Sequence, residues 1–301
     1  MPDVLVLGDA DAGVYYEIDH IPKLGEYVTA ERVYERPGGK GANAAAVLSR
    51  LGTATGILSY IGSDHYGEVA VKGLKKQGVD ISHIEFIEGA TNYCIVMLDP
   101  TGEKALVVVK ASKNYPDQAY IDKHLQYFLS AKHIHAIGLD PVIIAGSLRI
   151  AHEQGLTTSV DLDDAYPGLH TCETLLGNAT LVFLNENGAR RLYPDHAIKD
   201  VALALKQYGP EIIVITRGSR GSIGYDGSRF IDEPAFALGI QDTSGAGDCF
   251  SGAFIHSYLS GWEWAYSLRF ANAAAAILSL VIGPQEGIPT EEDVLAFLGK
   301  N

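Results

Sequence analysis

Six short apolar runs recur along the chain: VLVLG (4–8), GILSYIG (56–62), HIHAIG (133–138), TTSVDL (157–162), LVFLN (181–185) and EIIVIT (211–216). Runs this short, apolar almost throughout, read as strands covered on both faces, and such strands separated by helices pair in parallel. The intervening GANAAAVLSRLG, GEVAVKGLKKQG and IKDVALALKQYG have helical periodicity, and each closes on the glycine expected where a helix stops. The pattern therefore predicts an α/β fold: a doubly wound, mostly parallel sheet flanked by helices. A chain of 301 residues is long enough to form this as a single domain with its own core.

Two stretches break the rhythm. Residues 13–36 and 92–110 are rich in Tyr, Val and Thr with alternating polarity, and DPTGE (99–103) supplies a hairpin turn in the second. They predict a small β-sheet standing over the strand ends, a lid formed by about 12–37 and 92–111 inserted in the single domain. From 246 to 300 the sequence is mostly helical, with Thr290 and Asp293 spaced as a capping box. Trp262 and Trp264, just past a helix-ending glycine, read as packing residues.

A net charge of −14 argues against nucleic acid or an anionic membrane as the main partner, because phosphate contacts need clustered Lys and Arg. The sequence has no run of about 18 apolar residues and opens directly into DVLVLGD, so a cytoplasmic location is expected. Cys94, Cys172 and Cys249 are odd in number and far apart, which indicates buried thiols rather than disulfides or zinc. Cys249 stands at a helix start, where a thiol pKa can fall, although packing is the simpler role. His133 and His135 alternate along a strand, whereas His65, His83, His124 and His152 fall on surface-like elements. Spacings for a Walker loop, a dinucleotide loop, a zinc protease or a nucleophile elbow do not occur.

What remains is QDTSGAGDCF (241–250), glycines and an alanine leading into a helix that carries an aspartate in its first turn. Such a turn gathers backbone N–H groups and the positive end of the helix dipole into an anion site. Asp248 beside an anion site makes sense if the anion is a phosphoryl group in transfer and the carboxylate takes the proton of the attacking hydroxyl. Alternatively it only caps the helix. RPGGKGANAAAVLSRLG (36–52) again places glycines at a helix start, with Lys40 and Asn43 facing the turn. Asp9 and Asp11 close the first strand at its carboxyl end, where open α/β sheets bind ligands. Carboxylates with Asn and Lys suit a polyhydroxy molecule, the plainer reading being that both acids are turn residues.

With GGKGANAAAVLSRLG and DTSGAGDCFSGAF in this order, and with YIGSDHYGEVAVKGLKKQGVDISHI, VITRGSRGS, FANAAAAI and GPQEGIP between and after them, the chain resembles the ribokinase-like (PfkB) family of carbohydrate kinases over nearly its whole length. The resemblance implies Asp248 as catalytic base and Gly245, Ala246 and Gly247 as the anion hole. It places Asp9, Asp11, Gly39, Lys40 and Asn43 on a sugar. Asn185, Thr216, Gly218, Gly221 and Asn272 fall to the nucleotide. It further implies ATP and Mg²⁺, a monovalent cation such as K⁺ near Asp242 and the GPQEG turn, and a homodimer through the lid.

One departure stands out. Where the family carries N-x-x-E, this chain reads Asn185-Glu186-Asn187-Gly188, so Gly188 replaces the Glu that organises water around Mg²⁺. Either Glu186 substitutes from an earlier position or the metal relies on phosphates and water, and weaker Mg²⁺ affinity is expected. In SVDLDDAYPG (159–168), Asp161, Asp163 and Asp164 lack the spacing of a calcium loop, and Asp161 is the candidate for a substrate contact. Asp140 is a further candidate for a sugar hydroxyl. Lys110, Arg36 and Lys113 lie near the lid, where a phosphorylated acceptor needs a cation. Tyr15, Tyr16, Tyr93 and Tyr115 leave room for a nucleoside. The expected activity is an ATP-dependent sugar kinase acting on a primary hydroxyl of ribose, fructose or a related ketose. A nucleoside kinase and a non-catalytic sensor on the same fold are the alternatives.

Overall fold

Residues Val4–Gly8 are all buried, and their side chains divide between two separate cores. Val4 and Val6 pack in one, Leu5 and Leu7 in the other, as a strand covered on both faces requires. The computed structural model describes residues 1–102, 104–110, 115–162 and 169–300. The turn residues Asp163 and Asp164, and Lys113, lie outside these.

Along the chain come β1 (Val4–Gly8), β2 (Asp11–Glu17), β3 (Arg32–Gly38), α1 (Lys40–Arg50), β4 (Thr55–Leu58), β5 (Tyr60–Gly62), α2 (His65–Lys76), β6 (Glu85–Ile87), β7 (Tyr93–Leu98) and β8 (Lys104–Val109). Then follow α3 (Gln118–Lys123), α4 (Leu125–Phe128), β9 (His133–Ile137), α5 (Pro141–Glu153), β10 (Thr157–Asp161), α6 (Leu169–Leu176), β11 (Leu181–Asn185), α7 (Glu186–Leu192), α8 (Ile198–Lys206) and β12 (Ile212–Thr216). The chain ends with β13 (Ser222–Tyr225), β14 (Phe230–Glu233), α9 (Ala246–Leu259), α10 (Trp264–Leu278) and α11 (Glu291–Leu298).

The main sheet has eight strands in the order β14-β13-β12-β11-β10-β9-β1-β4. It is parallel from β12 to β4, and β13 and β14 add an antiparallel edge that the apolar runs did not announce. After β1 the chain moves to β4 on one side, then returns to β9 on the other, so the strand order reverses between β1 and β9. In open α/β sheets the crevice at the carboxyl ends of such a pair holds the ligand. The three glycine-terminated helices are present as α1, α2 and α8, followed by Gly52, Gly78 and Gly209, each with positive φ. Thr290 and Asp293 form the expected capping box on α11.

The two β-rich stretches form a second sheet, β3-β2-β7-β8. Its period-2 alternation puts Gly13, Tyr15, Cys94, Val96, Leu106 and Val108 on the face that looks down on the carboxyl ends of the main sheet. Of the histidines read as surface residues, His83 and His124 in fact stack edge to face, 5.1 Å between ring centres, and the His124 side chain is only 12% exposed.

His133 and His135 are fully buried between β9 and β10. The ring nitrogens of His133 lie 2.8 Å from Thr157 Oγ1 and 2.7 Å from Ser159 Oγ, and His135 Nδ1 lies 2.8 Å from Ser159 Oγ. Burial pushes both imidazoles down to about 3, so they are neutral when folded. Below pH 6.5 the unfolded chain binds protons that the folded chain refuses, so their contribution to stability is lost as pH falls toward 3. At pH 5 each imidazole costs about 2 kcal/mol by this linkage. Asp248, whose carboxyl is raised, works in the opposite direction. The difference between variants isolates one imidazole: the stability gap between wild type and His135→Gln, from urea unfolding, should narrow by about 2 kcal/mol between pH 7.5 and 5.0. A gap independent of pH would rule His135 out as the titrating group.

Candidate active site

The chain leaves β1 through Asp9, and the start of α1 folds around this residue. Asp9 Oδ1 accepts the Gly41 N–H at 3.0 Å and its carbonyl accepts the Ala42 N–H at 2.9 Å. The crossing is so close that a Cβ on Gly41 would lie 2.6 Å from Gly8 Cα, which explains why the helix opens on Gly-Lys-Gly. Gly39 caps α1 with a φ of 91°, and Asp11 starts β2 directly opposite Gly38. Asp9, Asp11, Gly39, Lys40 and Asn43 thus meet around a cavity of about 630 Å³, roofed by the small sheet. Asp140, Tyr15, Tyr115, Lys104 and Lys110 line it as well.

Asp248 enters the same cavity from the first turn of α9. Gly245 caps this helix in the left-handed region at φ 73°, packed so tightly on Pro284 that a Cβ would lie 2.7 Å from the proline ring. Asn43 Nδ2 donates to Asp248 Oδ2 at 2.8 Å, and Gln285 Nε2 donates to Asn43 Oδ1 at 3.0 Å. The Asp248 carboxyl is ringed by protein, and desolvation raises it to about 7, against the Asn43 hydrogen bond and Lys40, which lower it. Asp11 is also held well above the usual carboxylate range, by burial first and then by Asp9 and Asp248. Cys249 is fully buried, which raises its thiol instead of activating it.

On the far side of Asp248 lies a smaller cleft of about 80 Å³, formed by Lys40, Asp161, Asn185, Thr216, Gly247 and the ends of β9 and β11. Asp161, expected on the substrate side, opens here. Thr216 ends β12, and the turn after it runs from Gly218 to Gly221, where a Cβ would strike the Glu233 carbonyl. Asn185 caps α7 by accepting the Gly188 N–H at 2.7 Å.

Several expected site residues have other duties. Asn272 is buried and its amide reaches Ser222 Oγ at 3.1 Å and the Glu233 carbonyl at 3.3 Å, tying α10 to the antiparallel edge; it lines neither cleft. The Ala246 N–H closes a turn on the Thr243 carbonyl at 3.2 Å. Asp140 caps α5 through the Val142 N–H at 2.8 Å. Glu186 is paired with Arg190 and Arg220, whose hydrogen bonds hold its carboxyl below the ordinary range. Arg36 lines a separate cavity of about 490 Å³ beside α2, stacked over Tyr34 at 4.5 Å.

Asp242, where the resemblance implied a monovalent cation, is buried, and both of its carboxyl oxygens accept backbone N–H groups. Its Oδ1 accepts the Ser244 N–H at 2.8 Å, its Oδ2 accepts the Gly283 N–H at 3.0 Å, and the Lys104 ammonium stands 3.6 Å from Oδ1. That ammonium also donates to Ser244 Oγ at 2.9 Å, which ties the small sheet to the turn before α9. Lys104, Gln285 and Ser244 were not read from the sequence as site residues; Gln285 lay within the quoted GPQEG turn, but nothing local showed where its side chain goes. Among the described residues no group of three or more His, Cys, Asp or Glu is placed to hold a metal ion.

A doubly wound sheet with acidic and amide groups around one cavity at its reversal point, and a glycine-bounded helix start beside it, is a site for a small hydroxylated molecule beside an anion. The family model for "pfkB family carbohydrate kinase" matches residues 1–291. The ribokinase of Bacillus subtilis is 30% identical over 99% of this chain and 100% of its own. The ATP-dependent ribose-1-phosphate kinase of Halopiger xanaduensis is 27% identical over 100% and 99%. The solved structure of Arabidopsis thaliana ribokinase complexed with ribose and ATP superposes with a TM-score of 0.84 at 25% identity, over 99% of this chain and 98% of that one. The chain belongs to the pfkB family of carbohydrate kinases, and is a phosphotransferase with an alcohol as acceptor. No helix among the described residues is long and apolar enough to cross a membrane.

Proposed function

We propose that this protein transfers the γ-phosphoryl group of MgATP to a primary hydroxyl of a small sugar, ribose, fructose or a related ketose. The observation that carries the reading is the position of Asp248, which lines both clefts at once. On one side Asp9, Asp11, Asn43 and Lys40 offer acceptors and donors to several hydroxyls. On the other, Asn185 and Thr216 end β11 and β12 and Gly247 stands in the first turn of α9, where phosphates would approach.

Asp248 takes the proton of the acceptor hydroxyl as its oxygen bonds to the γ-phosphorus, the bond to the bridging β,γ-oxygen breaks, and ADP leaves. The N–H groups at the start of α9 stabilise the charge spreading over the phosphoryl oxygens. Lys40, shared by both clefts, holds positive charge between donor and acceptor. The small sheet acts as the lid, excluding water that would otherwise accept the phosphoryl group. Exposed Val33 and Val107 on that sheet support pairing of two chains through the lid.

The test is a panel of pentoses, ketoses, ribose 1-phosphate and nucleosides with MgATP, followed by ADP release. A pentose or ketose should give the highest kcat/KM. Preference for a nucleoside would overturn the sugar assignment, and ADP release independent of any acceptor would overturn the transfer itself.

A further inference from the structure

The Gly283–Gly287 turn lies far along the chain from both glycine-rich helix starts, yet it is built into the site. The Gly283 N–H is held by Asp242, Pro284 packs on Gly245, and the Gln285 carbonyl accepts Gln77 Nε2 at 3.1 Å. The Gln285 side chain is 2% exposed and points at Asn43. We propose that Gln285 is a positioning residue for phosphoryl transfer: by donating to Asn43 Oδ1 it fixes which way the Asn43 amide faces, and so keeps a donor on Asp248 Oδ2. This rests on the reading of Asp248 as the base.

Asn43 can serve Asp248 in only one of its two orientations. A carboxylate needs a donor, so the amide nitrogen must face Asp248 and the amide oxygen must face the other way. A donor from Gln285 on that oxygen makes the reversed orientation unfavourable, since reversal would set N–H against N–H on one side and oxygen against carboxylate on the other. Gln285 itself has only one such choice, and accepts a cost for it: among the described residues its buried Oε1 has no hydrogen-bond partner, and it lies close above Gly73 of α2. An apolar side chain of the same shape would fill this space without a stranded oxygen, but would leave Asn43 Oδ1 without its donor. A glutamine with an orphaned carbonyl and a committed amide is explained by what the amide does.

The consequence concerns the carboxyl that the relay reaches. Asp248 faces Lys40 from α1, Asp9 beyond β1, Asp11 of β2 and Asp161 of β10. Burial, then Asp161 and Asp9, hold its proton on; the Asn43 amide and Lys40 oppose them. With Asn43 fixed, Oδ2 is engaged and the second oxygen is left for the acceptor hydroxyl.

Gln285→Met keeps the shape and removes the donor. Gln285→Glu presents an acceptor, which turns the Asn43 oxygen toward Asp248. With γ-¹³C-aspartate labelling and the Asp248 signal assigned by its absence in Asp248→Asn, the Asp248 titration midpoint should rise by about 0.5–1 pH unit in Gln285→Met and further in Gln285→Glu. The acid limb of kcat for the best acceptor of the panel should move with it, kcat at pH 7 should fall about 3- to 10-fold, and KM for MgATP should hold. Because Gln285 acts through Asn43, the double variant Asn43→Ala/Gln285→Met should be no slower than Asn43→Ala alone. Equal Asp248 midpoints in wild type and Gln285→Met, or additive losses in the double variant, would overturn the proposal. Full turnover by Asp248→Asn would instead overturn the base assignment, and the titration would still decide the relay.

Discussion

Asp248→Asn is expected to bind sugar and MgATP normally and to phosphorylate the sugar at least about 10²-fold more slowly, the lower range for removal of a general base. The substitution is a fair test because it changes so little else. An asparagine oxygen can still accept from Asn43 Nδ2, and the helix start keeps its backbone N–H groups. Nor should the variant be less stable. Desolvation raises the Asp248 carboxyl to about 7, so above that pH the folded protein carries a buried charge at a cost that asparagine does not incur. Its thermal midpoint at pH 8 should equal or exceed that of wild type. In wild type, kcat/KM should rise through a midpoint near 7 as the carboxyl loses its proton, and fall below it. Undiminished turnover by Asp248→Asn, with ADP formed in step with sugar phosphate, would remove the assigned base.

The second large effect lies where β1 crosses α1. In Gly41→Ala the new methyl group would sit 2.6 Å from Gly8 Cα, 2.7 Å from the Gly8 carbonyl carbon and 2.9 Å from the Asp9 nitrogen, all backbone atoms with nowhere to retreat. Separation of strand and helix should cost about 3 kcal/mol, the upper part of the range for overpacking. It should also displace Asp9, which is held by the Gly41 N–H, and carry Lys40 and Asn43 with it. A displacement of about 1 Å at groups that place a substrate costs on the order of 10²-fold in rate. Gly146→Ala is the control: in mid-helix, with its nearest neighbour atom 3.5 Å away, it should be neutral or slightly stabilising. Urea unfolding and sugar phosphorylation, measured on both variants, check the pair; equal stabilities would refute the close crossing.

The sequence was most informative where a residue's role depends on its immediate neighbours. Apolar runs and glycine stops located β1, β9, β10, β11 and β12 because burial on both faces leaves no other composition available to such strands. Asn43 and Asp248 were singled out by the glycines beside them and Asp9 by the strand it follows, and all three line one cavity. The antiparallel edge was missed although Asp226-Gly227 marks its hairpin turn, because β13 and β14 are four residues each and half polar. Asn272 was read toward the nucleotide, yet its partners are a serine and two carbonyls on that same unread edge. Lys104 was not singled out in the sequence, since nothing local reveals that its strand alternation aims it at Asp242. Contacts between segments far apart in sequence follow from the topology, and no local pattern encodes them.

The Asn43 hydrogen bonds to Asp248 and Gln285 span 205 and 242 residues. A chain emerging from the ribosome can build β1, α1 and most of the parallel sheet long before either bond can form. Nothing short of near-complete synthesis brings the trio together. Any truncation before the turn at 283–287 therefore removes the Gln285 donor from Asn43, however much of the parallel sheet survives.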